Sequence, residues 1–428
     1  MRNATSSHLL KSLSPKLPAA LTLLTALTMW YPAPATAEDF GGSMFSFNGF
    51  GTVGVVHSSD DKADFVGGLL EPNGAGYSRS WSASVDSLIG AQVTANLTPQ
   101  LTAVLQLIVQ QNYDKTYWPR VEWANIKYQF TPDFDLRIGR MVLPTFLVSD
   151  SRKVGYSNPW VRPPVEVYSL NPIAALDGVE ASYRLHLGEV TNTLQSSYGR
   201  NVSIQFPAGA HVDAPYQWGI FNDTEYGAAL LHLSYVLSPI TLNSASTAAL
   251  FDAFRLFGPQ GAAVAEDFEV VDKSVTVLTI AGSYDPGQWF AMGEWIRTRC
   301  ECFIGVTTGW YVSGGYRVGA FTPYLTYAQV TERTTSAPGL SLSAVPAYLA
   351  PTVAALNAGL NELLASRPVQ YTSSMGVRWD FMKNFDLKVQ LDRMNLGAGS
   401  TGTLLNIQPG FQPGSTVYLF STAVDFVF

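Results

Sequence analysis

The sequence predicts an all-β fold, a transmembrane antiparallel β-barrel of about sixteen strands whose long loops carry short helices. Three observations predict it. The last segment alternates strictly: Tyr418, Phe420, Val424, Phe426 and Phe428 share one parity, broken only by Thr422, while Ser421, Ala423 and Asp425 hold the other. One face of such a strand suits lipid and the other suits water. Alternating runs of this kind recur along the chain, separated by short turns. No stretch after residue 37 approaches eighteen uninterrupted apolar residues, so a bilayer crossing requires strands, and only a closed sheet leaves no unpaired edge in lipid.

The amino end reads as an export signal. Arg2, Lys11 and Lys16 precede an apolar stretch over 17–30, and Ala35-Thr36-Ala37 offers a small-residue cleavage site. The stretch is too short for a spanning helix, so residues 1–37 are expected to be removed and 38–428 to form a single barrel domain. Removal leaves 23 bases against 33 acids, and the formal charge moves from -7 to -10, which argues against a nucleic-acid partner. Charged residues make up 14% and aromatics 12% of the chain. That balance fits strands with one lipid-facing side and aromatic girdles. Cys300 and Cys302 are too few for a disulfide framework, and they read as a loop feature or a local disulfide.

Seven short turns set the strand count. An aromatic residue or Leu followed by Thr-Pro or Ser-Pro marks Leu97-Thr98-Pro99, Phe130-Thr131-Pro132, Leu237-Ser238-Pro239 and Phe321-Thr322-Pro323. Asp285-Pro286-Gly287, the stretch 186–189 and Met382-Lys383-Asn384 supply three more. Seven turns connect fourteen strands in pairs, and the first and last strands make sixteen, with eighteen left open by two long segments. The long segments cover 58–80, 144–175, 248–272 and 334–368. Leu250, Phe251, Phe254 and Phe257 recur at helical spacing in the third of these, and Val353, Leu356, Leu360 and Leu363 in the fourth.

Parity assigns lumen-wall residues. Lys127 alternates in with Asn125 and Gln129, Arg378 with Asp380, and Lys388 with Gln390 and Asp392, each set opposite an apolar face. Arg137 and Arg140 differ in parity, and a bulge at Gly139 would let both face the lumen. Glu294 and Arg297 also differ in parity, which leaves the facing of that stretch open.

The segment after the fifth strand is the most informative irregular one, with Asp150, Arg152, Lys153, Arg162 and Glu166 among Pro144, Pro159, Pro163 and Pro164. With its terminal aromatic strand and its turn count, the chain resembles the Gram-negative outer-membrane porin superfamily, the water-filled sixteen-stranded diffusion channels. That resemblance implies an inward-folded third loop, with those five charges nearest the constriction. It also implies outer-membrane lipid as surroundings, a homotrimer, and recognition of Phe426 and Phe428 as an insertion signal by the barrel assembly machinery. The acidic Pro-Glu-Phe-Gly-Gly motif of enterobacterial porins is missing, which leaves cation or anion preference open.

Other chemistries fit poorly. Gly49-Phe50-Gly51-Thr52-Val53-Gly54 matches a dinucleotide fingerprint, but it lies within an alternating strand, where no helix begins to meet a pyrophosphate. Glycine within such a strand is expected to relieve curvature or to be covered by a neighbouring side chain. His57, His186, His211 and His232 are scattered, without a G-x-S-x-G elbow, and no metal-ligand spacing occurs. The expectation is a non-enzymatic channel without cofactor or metal, passing small hydrophilic solutes and ions. The alternative is a selective channel for more hydrophobic solutes, capped by the apolar loop helices.

Overall fold

A computed structural model of the chain describes residues 44–332 and 336–428, and the expected export signal lies outside the described residues. Sixteen long strands form one antiparallel sheet. They are β1 (Phe45–Ser58), β2 (Leu88–Asn96), β3 (Leu101–Gln110), β4 (Arg120–Thr131), β5 (Phe134–Val142), β6 (Ala175–Leu187), β7 (Val190–Gln205) and β8 (His211–Tyr226). Then come β9 (Ala229–Asn243), β10 (Lys273–Tyr284), β11 (Trp289–Cys300), β12 (Val306–Tyr316), β13 (Phe321–Glu332), β14 (Gln370–Met382), β15 (Phe385–Leu396) and β16 (Thr416–Val427). Each strand pairs with its sequence neighbours, and β1 pairs with β16 from Phe50–Val427 to Ser58–Leu419, so the sheet closes.

The turn count holds, but two of its members do not. Leu237-Ser238-Pro239 lies inside β9, and Phe321-Thr322-Pro323 opens β13. The chain reverses instead at residues 227–228 and 317–320. Proline survives within these strands because each sits where no ladder bond is required of it. Pro239 faces the register shift between Asp213 and Trp218 in β8, and Pro323 lies just past the last β12–β13 pair, Gly315–Tyr324. The two long segments hold helices rather than further hairpins: α2 (Ala245–Arg255) and α3 (Gly258–Phe268) between β9 and β10, and α4 (Ala350–Ala365) between β13 and β14. Helix α1 is the short turn Val165–Tyr168 in the third long loop. Phe251, Phe254, Val353, Leu360 and Leu364 pack α2 and α4 into one buried cluster.

Outward parity is apolar and bounded by two aromatic belts. Phe130–Phe134–Tyr183 and Phe321–Trp379, together with Phe385–Phe426–Phe428, mark the short-turn side. Trp218–Tyr235 and Trp310–Tyr327–Tyr371 mark the long-loop side. On β14, Tyr371 and Trp379 stand eight positions apart, roughly 26 Å along the strand, which matches the ~25 Å apolar band of a membrane barrel. On β16 the buried residues are Val417, Leu419, Ser421, Ala423 and Asp425, so Asp425 points inward while Phe426 and Phe428 point out. The fingerprint glycines are explained by the same rings. Phe428 lies over Gly49 and Phe426 over Gly51, where any Cβ would meet the ring.

This cover makes β1 dependent on β16 side chains. Gly51→Val is expected to cost about 1–3 kcal/mol of barrel stability through overpacking against Phe426. Adding Phe426→Ala should recover part of that loss, as read by urea unfolding in detergent micelles; strictly additive losses would show that the contact does not matter.

Candidate functional site in the lumen

Residues 143–174 connect β5 to β6 and cannot continue the sheet, because Pro144, Pro159, Pro163, Pro164 and Pro172 lack the ladder donor. The segment instead lays apolar side chains on inward-facing residues of distant strands. Phe146, Trp160, Val167 and Tyr168 pack with Phe221 of β8, Val236 of β9, Val277 of β10, Ile296 of β11, Tyr311 of β12 and Tyr324 of β13. Trp160 is buried, and its indole N–H is shared between Ser313 Oγ at 2.9 Å and Thr326 Oγ1 at 3.0 Å. The Tyr168 hydroxyl donates to Glu294 Oε2 at 3.0 Å, and the Leu147 N–H donates to the other oxygen at 3.3 Å. Glu294 therefore faces inward and Arg297 outward, which resolves the parity conflict on β11.

The five charges singled out in this segment have different fates. The Arg162 guanidinium makes a two-pronged bond to Asp86, at 2.7 and 2.6 Å, donates to Ser421 Oγ at 2.8 Å and lies 3.7 Å from Asp392. Burial opposes its charge, but Asp86 and Asp392 more than offset that and hold the pKa above the ordinary arginine range. Glu166 is buried in α1 and takes hydrogen bonds from Gln370 Nε2 at 2.7 Å and from Thr372, with no cation paired to it among the described residues. Burial pushes its carboxyl up. Asp150 is exposed and lies toward Arg137, Asp223 and His232, away from the other four. Arg152 makes no ion pair among the described residues, and the Lys153 ammonium donates to Gln110 Oε1 at 2.5 Å. Burial draws the Lys153 pKa down.

Most of the lumen-wall residues face inward as a ladder. Arg137 pairs with Glu180 across β5 and β6 at 2.5 Å, beside Lys127 on β4. Arg378 donates to Asp380 and to the carbonyl oxygens of Tyr156 at 2.5 Å and Asn158 at 3.2 Å, and forms an ion pair with Asp386 at 3.1 Å. Lys388 is fully buried, 2.8 Å from Asp425 and 2.6 Å from the Gly155 carbonyl oxygen. Thr52 donates to Asp425 from the facing strand. The wall of β14–β16 and β1 thus grips residues 155–158.

Arg140 is a correction. It pairs in register with outward-facing Ala124 and with Asp177, to which it donates two bonds of 2.7 Å on the outer surface. No bulge occurs at Gly139; the register runs through it unbroken, with Gly139 at φ +128°. Unbroken alternation sends Arg137 in and Arg140 out.

Opposite the packed wall, a polar cavity of about 210 Å³ remains between residues 67–71 and 84–88, the upper ends of β3 and β4, and residues 152–163. Arg120, Arg152 and Lys153 line it with no carboxylate within ion-pair distance among the described residues, beside the neutralised Arg162. Glu71 lines it too: burial raises its carboxyl to about 8, against the Gly67 N–H bonded to it at 2.9 Å. Sequence reasoning missed Arg120, Glu71, Asp86 and Gln110. Arg120 follows Trp118-Pro119 at the head of β4, a strand-start signal, but the β3–β4 register shift between Gln106 and Leu107 hides its facing.

No family model and no curated protein sequence matches the chain. Among solved structures it is similar to an anion-selective porin from Comamonas acidovorans, with a TM-score of 0.52 at 12% identity over 90% of this chain and 99% of that one. It is similar also to the outer-membrane channel DcaP of Acinetobacter baumannii, with a TM-score of 0.53 at 10% identity over 90% and 97% of the two chains. Salmonella typhi OmpF in complex with daunomycin gives 0.53 at 12% identity over 90% and 97%. With its closed sheet of sixteen strands, its apolar belt and these likenesses, the chain has the fold of the bacterial outer-membrane porins.

Proposed function

We propose that the protein is a passive, non-enzymatic channel of the bacterial outer membrane, conducting small hydrophilic solutes and ions past a third loop that narrows the lumen. The observation that carries this reading is the division of the lumen. Residues 143–174 pack onto one wall, and a polar cavity lined by Arg120, Arg152 and Lys153, none with a carboxylate in ion-pair reach among the described residues, stays open beside the other. Fixed positive charge in a narrow, low-dielectric passage concentrates anions, so a preference for anions follows despite the acidic chain. Arg162 and Glu166 act as anchors of the loop, with Arg378 and Lys388 holding its 155–158 turn. Hydrophobic solutes are the weaker reading, because the apolar faces of α2 and α4 are spent on each other.

The outer surface supports a homotrimer. Ile89, Ala91, Leu105, Ala124, Ile126 and Ile138 present small aliphatic groups outward on β2–β5, with no aromatic of the upper belt. The outward Arg140–Asp177 pair stands beside them, where a protein neighbour accommodates it better than hydrocarbon. Phe426 and Phe428, on the outward face of β16, suit recognition by the barrel assembly machinery.

Replacing Arg120, Arg152 and Lys153 together by alanine is expected to lower the anion-to-cation permeability ratio by about tenfold. Reversal potentials across planar bilayers under a salt gradient read this directly, and an unchanged potential rejects the assignment. A second outcome concerns pH. Glu71 is neutral below about 8 and gains a negative charge above it, facing Asp86, Arg162 and Lys153. Anion preference should therefore decline as pH rises through that value. Glu71→Gln should flatten the decline; a wild-type profile in the variant would exclude Glu71 as its source.

A further inference from the structure

We propose that the outer face of β10–β13 is a docking site for one membrane lipid with a net-negative, phosphorylated headgroup. Its phosphate would be held by Arg297 and Arg299, with an acyl chain in the hollow beneath them. Both arginines project outward on β11 and both are exposed. Arg297 has no carboxylate partner among the described residues, and Arg299 meets only Glu301 of the adjoining turn, at 2.8 Å with both side chains largely exposed. Outward positions of β10, β11, β12 and β13 contain no Asp or Glu at all. A strand face with two guanidinium groups, no carboxylate of its own and only the exposed Glu301 of the turn beside it is complementary to an anion, and guanidinium matches phosphate geometry in particular.

Height fixes the kind of anion. Trp295 is two positions below Arg297 on the same face, opposite Trp310, whose ring lies 5.5 Å from Tyr327 in the upper aromatic belt. That belt marks the hydrocarbon boundary, so the arginines stand at headgroup level. Their own level is held by the short turn above, where Cys300 and Cys302 are joined in a disulfide and the Cys300 N–H donates to the Gly305 carbonyl at 2.8 Å.

Below the belt, the same strands form an open apolar hollow of about 780 Å³. Gly282, Ala291, Gly293 and Gly314 make its floor, and Leu325 and Met375 stand at its side. Gly293 lies four positions from Arg297, roughly 13 Å down the strand, within reach of one acyl chain hanging from a headgroup on the arginines. A free phosphate would use only the upper part of this site, whereas a lipid uses both.

The test is native mass spectrometry of the full chain in detergent micelles. The probes are bisphosphorylated lipid A and zwitterionic phosphatidylcholine, with inorganic phosphate as competitor. Lipid A should be retained in preference to phosphatidylcholine and should resist inorganic phosphate. Arg297→Gln with Arg299→Gln should weaken its binding roughly tenfold, while the two lysine replacements keep a substantial part of it. Gly282→Val should weaken lipid A as well, by filling the hollow; a Cβ there meets only the Leu230 carbonyl oxygen, at 3.4 Å, so the fold accepts it. Lys383→Gln, which removes one positive charge at the opposite rim, should change nothing. The proposal is overturned if the glutamine pair binds lipid A like the wild type, if Lys383→Gln weakens it equally, or if inorganic phosphate displaces it as readily as unlabelled lipid does. Heat-shifted electrophoretic mobility establishes that each variant is folded.

Discussion

Every other feature depends on the ladder between β1 and β16. A sheet in hydrocarbon has no water to satisfy its edge, and each unpaired backbone group there costs several kcal/mol. Pairing Phe50 through Ser58 with Val427 through Leu419 removes that edge. It also creates an inside and an outside, and strict alternation then sorts every strand residue between them. The aromatic belts, the inward carboxylates and the seat of the third long loop all follow from that sorting.

Inside the barrel, the two halves of the wall obey different chemistry. Along β8–β13 the inward residues include Phe221, Val236, Ile296 and Tyr311, and residues 143–174 bury their own apolar groups there as a soluble core would. Along β14–β16 and β1, contact is instead polar: Arg378, Lys388 and Asp425 meet backbone carbonyls and a hydroxyl. Buried charges of this kind are tolerable because they are paired and because the loop supplies oxygen acceptors where water would otherwise stand. The remaining volume is left to solvent and to whatever it carries.

Much of this was legible in the sequence, because a period of two carries through every strand. The strand count was read from the short turns between alternating runs, the loop helices from helical spacing, and the facing of Asp425, Lys388 and Arg378 from alternation. The turns were less legible. Ser-Pro and Thr-Pro look like reversals, yet Pro239 and Pro323 lie within strands, because a register shift and a ladder end relieve them of the donor they lack. Arg140 misled for the opposite reason: a glycine next to it suggested a bulge, and the strand stayed regular. The cavity was hardest to foresee. Glu71, Asp86 and Arg120 come from a loop and a strand head that meet residues 152–163 only in the closed barrel, across sequence separations no local pattern encodes.

Gly155 sits where a side chain would strike both Asp425 of β16 and Thr52 of β1, residues that are 373 positions apart in sequence. The two sides of its berth therefore belong to opposite ends of the barrel. Until those ends have met, the 155–158 turn has nowhere to settle, so placement of the loop is a late event in biogenesis. The lumen takes its final cross-section only after the wall around it is sealed.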